Sequence, residues 1–172
     1  MGPAKSILFA PQEGVPRVFL NIDRTEHVRL EDVFVISVDA ESLVRVTESH
    51  FCGFEDCTLI NLPRRPNDQG LAARVVDFEG DCSNCEIARS ALLAAKTVTS
   101  LNGQVHNLLV RDNQMLALQI SVLINQAQNV EIVHNQMRGL PREFLTFELP
   151  ISRNTIDAFQ QEVSTAFRAA PS

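Results

Sequence analysis

Asn107-Leu-Leu-Val-Arg-Asp-Asn-Gln-Met115 is followed 22 positions later by Asn129-Val-Glu-Ile-Val-His-Asn-Gln-Met137. Both run Asn, apolar, any residue, apolar, two further residues, then Asn-Gln-Met. The alternating apolar pair is the signature of a strand with one buried face. The flanking asparagines suit tight turns, because Asn tolerates the left-handed backbone conformation and its amide both donates and accepts.

Working outward, three earlier segments align with these two: His27-Val-Arg-Leu30, Asp56-Cys-Thr-Leu59 and Asn84-Cys-Glu-Ile87. Their second residues fall at 28, 57, 85, 108 and 130, giving spacings of 29, 28, 23 and 22. The shorter pair sets the basic period, and the longer ones imply insertions. One is the turn-rich stretch 63–70, Pro-Arg-Arg-Pro-Asn-Asp-Gln-Gly. About ten residues before each strand lies a second apolar one, at 18–22, 43–46, 75–78, 98–101 and 120–124. Short Asn- and Gln-rich turns, 102–107 and 125–129, are expected between the two.

Strands this short, with no helical periodicity between them, must pair with their equivalents one repeat above and below. Such stacking makes parallel sheets, and parallel crossovers are right-handed in nearly all cases. The expected fold is therefore all-β, a right-handed parallel β-helix of about five coils over residues 17–151. A cap or extended segment, 1–16, precedes it, and a helix with its tail, 152–172, closes it. Asn154 can cap that helix, whose apolar residues Ile156, Phe159, Val163 and Phe167 are spaced three and four apart. A solenoid end exposes strand edges, so the helix is expected to cover one or to dock on a partner or sister subunit. The rival fold is a leucine-rich repeat, whose core pattern Leu108, Val110, Asn113 and Met115 also satisfy.

The segments 107–115 and 129–139 resemble repeats of the parallel β-helix family. That family includes pectate lyases, polysaccharide hydrolases and phage tailspikes, together with many non-enzymatic domains. The resemblance therefore implies a fold, and the fold does not choose an activity.

Composition excludes more than it selects. With 172 residues, 45% hydrophobic and 21% charged, the chain holds one core and no apolar run long enough to span a bilayer, so no membrane role is expected. A net charge of −6 leaves no attraction for phosphate backbones, so nucleic acid is not an expected partner. Residues 1–10 show no basic region followed by an apolar stretch, and localisation stays open. The chain has neither Trp nor Tyr, which weighs against sugar recognition, although polysaccharide remains a candidate ligand.

Three constellations carry possible chemistry. On the outward strand positions Arg29, Thr58, Glu86, Leu109 and Glu131, followed by Glu31, Ile60, Ala88, Arg111 and Val133, Glu86 and Glu131 are separated by two coils. With Asp112 they are the candidate acids for a lyase or glycoside hydrolase, whose chemistry needs an acid and a base across the bond. The adjoining column Asp32, Asn61, Arg89, Asp112 and His134 is polar throughout, so Arg89, Asp112 and His134 form either an ion-paired ladder or a small binding site. Finally, Cys52, Cys57, Cys82 and Cys85 have the ligand count for zinc, with His50 as a spare, while Cys57 and Cys85 align with core Val and Leu. Buried free thiols, a disulfide and a zinc site all remain open, and no other cofactor is expected. The leading expectation is a non-enzymatic structural or protein-interaction module, with the enzyme and a zinc-stabilised binding domain as alternatives.

Overall fold

The computed structural model describes residues 6–9, 18–38, 40–62, 74–94, 97–117 and 120–139. The N-terminal cap apart from 6–9, the insertion at 63–73 and the expected C-terminal helix lie outside them. Fourteen strands are described: β1 (Ser6–Phe9), β2 (Val18–Asp23), β3 (Arg29–Glu31), β4 (Val33–Val38), β5 (Ser42–Thr47), β6 (Gly53–Glu55), β7 (Thr58–Leu62), β8 (Arg74–Glu79), β9 (Cys82–Ala88), β10 (Ala91–Ala94), β11 (Thr97–Arg111), β12 (Gln114–Ala117), β13 (Ile120–Val133) and β14 (Gln136–Gly139).

All pairings between these strands are parallel. Sheet A runs β1-β4-β7-β10-β12-β14. The other strands form two faces. Face B stacks β2, β5, β8 and the first halves of β11 and β13, and face C stacks β3, β6, β9 and their second halves. The result is a right-handed parallel β-solenoid of about four turns, where about five coils were expected, with three strands per coil and no helix among the described residues. The leucine-rich alternative, with one strand per repeat, does not describe it.

Corners between strands are set by left-handed residues stacked in columns. One column holds His27, Phe51, Asn84, Asn107 and Asn129, with φ from 53° to 60°. A second holds Asp32, Asp56, Arg89, Asp112 and His134, with φ from 46° to 55°. Asn, Asp and His are the non-glycine residues most enriched in this region, so the corners help select the composition seen there. The expected asparagine ladder forms: Asn129 Nδ2 donates to Asn107 Oδ1 at 3.1 Å, and Asn107 Nδ2 to Asn84 Oδ1 at 3.2 Å. A second ladder lies inside the other corner. Asn113 Nδ2 donates to the Ile87 carbonyl at 2.8 Å while its Oδ1 accepts the Ser90 N–H at 2.8 Å. Asn135 repeats the arrangement one coil on, donating to the Val110 carbonyl at 2.7 Å and accepting the Asn113 N–H at 2.9 Å. Each amide thus satisfies backbone groups that the turn leaves without strand partners.

The core fills from all three faces, with Val44, Val46, Phe54, Leu59, Phe78, Ile87, Leu92, Leu101, Val110 and Met115 almost wholly buried. On sheet A the alternate residues Phe34, Ile36, Ile60, Leu93 and Leu116 are buried as well, so that sheet is apolar on both sides, as parallel sheets commonly are. Face C is different: its outward side chains are mostly polar, with Arg29, Glu31, Glu55, Glu86, Arg111 and Glu131 among them.

Two expectations need correction. The second coil aligns through Cys52 and Phe54, because Gly53 pairs with Arg29 and with Glu86. Cys57 instead lies at the turn into β7, and Thr58, Leu59, Ile60 and Asn61 belong to sheet A. The column positions therefore become 28, 52, 85, 108 and 130, which gathers all the extra length between 52 and 85, where residues 63–73 lie. The physical reason for the misreading is that Cys52-Gly-Phe54 and Cys57-Thr-Leu59 alternate equally well. The second correction concerns 102–107 and 125–129, which were expected as turns; β11 and β13 run through this corner as bent strands, with register shifts around Asn102.

Candidate functional site

Face C brings together most of the polar residues singled out above. Its outward rows are Arg29, Gly53, Glu86, Leu109 and Glu131, then Glu31, Glu55, Ala88, Arg111 and Val133. Asp56 replaces Asn61 in the neighbouring corner column. Ion pairs bind these rows coil to coil. Arg29 contacts Glu31 at 2.6 Å and also Glu55. Arg89 reaches both Asp56 oxygens at 3.1 Å and contacts Glu55. Arg111 Nε meets Glu86 Oε1 at 2.8 Å and its Nη1 meets Asp112 Oδ2 at 3.1 Å. His134 Nδ1 lies 3.7 Å from Asp112 Oδ1.

This arrangement decides what the candidate acids can do. Glu86 and Asp112 share one guanidinium, whose own ionisation is pushed further up by the Glu86 hydrogen bond. Both carboxylates are thus already engaged with a fixed cation, which a catalytic pair would have to release to reach a substrate. Glu131 is exposed and lies two coils from Glu86 with Leu109 between them. Arg89, Asp112 and His134 share one left-handed corner column, but the Arg89 side chain turns to Glu55 and Asp56 of the preceding coil, while only Asp112 and His134 approach one another. Such solvent-exposed pairs contribute roughly 0–1 kcal/mol each. They set register and solubility more than they create a cleft.

The cysteines separate into three and one. Cys52 stacks against Cys85, and Cys82 begins the same strand as Cys85. All four are buried free thiols, Cys52 and Cys82 as much as Cys57 and Cys85. Each has a backbone carbonyl within reach of its S–H: His50 for Cys52 at 3.6 Å, Glu79 for Cys82 at 3.4 Å, Ser83 for Cys85 at 3.4 Å and Leu30 for Cys57 at 3.3 Å. Burial pushes the thiols of Cys52 and Cys82 up and that of Cys85 up to about 12. Zinc needs converging thiolates, and among the described residues no group of three or more His, Cys, Asp or Glu side chains is disposed to hold a metal ion. His50 is occupied with the Ser83 hydroxyl at 2.8 Å.

Two further features escaped the sequence. On face B, Asp77 is fully buried and accepts from Arg74 Nη1 at 2.7 Å, Asn102 Nδ2 at 2.8 Å and Ser42 Oγ at 3.2 Å. Burial, and then the Asp77 charge, push the carboxyl of Glu79 up, while Arg45 at 3.4 Å opposes the shift. Two carboxyls with differently tuned surroundings are the raw material of acid–base chemistry, but Asp77 is saturated with donors and closed to solvent. The alternation of Asp77 with Glu79, and Arg74 three residues before Asp77, is visible in the sequence; which coils these residues face is not. The second feature is a groove of about 420 Å³ where β11 and β13 bend between faces B and C, lined by Gln104, Val105, His106, Gln126, Ala127 and Gln128.

No family model and no curated protein matches the chain. Among solved structures, the tailspike protein gp49 from Pseudomonas phage LKA1 is similar, with a TM-score of 0.55 and 13% identity over 76% of this chain. The match covers 25% of the tailspike, so the chain spans about a quarter of that protein's length. At this identity the likeness speaks to architecture alone, and it agrees with the fold described above: the chain is a right-handed parallel β-helix.

Proposed function

We propose that this chain is a non-enzymatic structural or protein-interaction module, a β-helix segment of a larger surface or assembly protein. The observation that carries the reading is the ladder on face C, in which Glu86 and Asp112 are both held by Arg111 and the acids of the preceding coils by Arg29 and Arg89. An ion-paired face suits a surface that positions partners, and its carboxylates are already committed to guanidinium groups. Similarity to a phage tailspike protein supports the solenoid fold on which this reading rests.

The test is depolymerisation. Incubated with acidic and neutral polysaccharides, the purified chain should release neither reducing ends nor unsaturated products above background. Product formation that disappears in Glu86→Gln or Asp112→Asn would replace the scaffold with a lyase or hydrolase acting on face C.

A further inference from the structure

Face C ends on the second half of β13, which pairs with β11 on one side and with no strand on the other among the described residues. Sheet A carries one strand more, because β14 adds to β12. The two faces therefore end in a step one strand high, about 4.8 Å. The core is open along this step. Met137 is 43% exposed, whereas Met115 in the coil before it is wholly buried. Val130 and Ile132 are half-buried, whereas their partners Leu108 and Val110 are almost wholly buried. The hydrogen-bond ladders stop at the same place. At successive coils the N–H of Asp32 donates to the Glu55 carbonyl, Asp56 to Ala88, Arg89 to Arg111 and Asp112 to Val133, at 3.1–3.2 Å. His134 is next in that column, and its N–H has no acceptor among the described residues. Asn129 donates its side-chain N–H back to Asn107, which leaves its own Oδ1 as the acceptor for whatever follows.

We infer that this step is a docking site for one extended strand of a partner polypeptide, added in parallel to residues 129–133. The inference rests on the protein-interaction reading above and names the chemistry of the partner. Main-chain pairing supplies the attachment, since an open strand edge is a template for another strand. The side chains supply the selection. The residue opposite Asn129 is asparagine or glutamine, whose amide donates to the waiting Oδ1 and continues the ladder. The residues opposite Val130 and Ile132 are apolar and complete the core rows. The residue opposite Glu131 is lysine or arginine: Glu55 and Glu86 are paired with arginines, whereas Glu131 is exposed and has no cation beside it among the described residues. A second copy of the chain fits this edge poorly. Its β1 would arrive together with its β3 and would need the place on sheet A that β14 already holds. A single strand meets no such obstacle.

The test is a backbone amide NMR titration of the whole chain with the end-blocked peptide Asn-Val-Arg-Ile-Thr-Asn, beside a form with glutamate in place of its arginine and a scrambled form. The first peptide should give saturable shifts at residues 129–134 at millimolar concentration or below, and the scrambled one none. Glutamate in place of the arginine should weaken binding about fivefold, the scale of one cross-strand charge pair turned from attraction to repulsion. Glu131→Lys, on an exposed row, should keep the fold and reverse the order of the two peptides. Polysaccharide turnover would sink the scaffold reading without touching this edge, and failure of these peptides would leave the depolymerisation result as it stands. Absence of saturable shifts, shifts confined to other residues, or a peptide order unchanged in Glu131→Lys would overturn the proposal. Cross-strand NOEs in the free chain between amides 130–134 and residues beyond 139 would overturn it as well, because the chain would then fill its own edge. Self-association that shifts residues 27–32 together with 129–134 would reassign the edge to a second copy and so contradict it.

Discussion

Cys85 shows how one buried side chain links packing to solution behaviour. Its thiol titrates at about 12 in the folded chain, against an ordinary 9.0, because burial penalises the thiolate. A folded-state value above the unfolded one means that the folded chain keeps protons the unfolded chain has lost. The stabilisation is complete below the ordinary thiol range and drains away as pH rises from about 8.5 toward 12. Cys52 and Cys82 shift in the same direction and add to the slope. Urea midpoints measured between pH 7 and 10.5 should therefore fall, and Cys85→Val should flatten the fall while costing less than about 1.5 kcal/mol at pH 7, since volume and apolarity are nearly kept. A chelator should leave the midpoint unchanged. About one zinc per chain by elemental analysis, together with unfolding by chelator, would show that metal binding is part of the folding energy instead.

At the scale of the element, the strands hold together through the turns between them as much as through their ladders. Asn113 accepts the Ser90 N–H and donates to the Ile87 carbonyl, both buried. Asn113→Ala leaves those two backbone groups without partners and should cost about 2–4 kcal/mol by urea unfolding. Asn107→Ala, on the exposed ladder, should cost less than about 1 kcal/mol. Equal losses would mean that the inner corner does not close as described. These elements were legible in part. Asparagine before an apolar pair announces a left-handed corner, as at 84, 107 and 129; after the pair the left-handed residues are Asp112 and His134, and Asn113 and Asn135 serve through their amides instead. The groove was not legible, because the Asn- and Gln-rich segments around 104 and 126 have the composition of a turn. Only the pairing of β11 with β13 shows that they continue as strands and leave a concave corner. Asp77 was hidden for a related reason: its donors Ser42, Arg74 and Asn102 come from three coils, and sequence alone does not state which rows face each other.

For the whole molecule, the register is what makes a solenoid out of repeats. Period-two alternation placed Val28, Cys85, Leu108 and Val130 in one column correctly, because each is flanked by a turn residue and followed two positions later by another apolar residue. It misplaced the second coil because two neighbouring segments satisfied the same pattern, and spacing does not say where an insertion sits. Pairing resolves this, since a shift between Cys57 and Cys52 moves every charged row on face C and brings Glu55 and Asp56 into the ladder. The most direct measurement of that register is a comparison of urea unfolding for Val110→Asp and Glu131→Lys. Val110 is fully buried between Ile87 and Ile132, so an aspartate there places an unpaired charge in the core and should cost at least about 3–5 kcal/mol or unfold the chain. Glu131 is exposed on face C and its replacement should stay within about 0.5 kcal/mol. Equal costs for the two substitutions would contradict the stacked register and, with it, the β-helix described above.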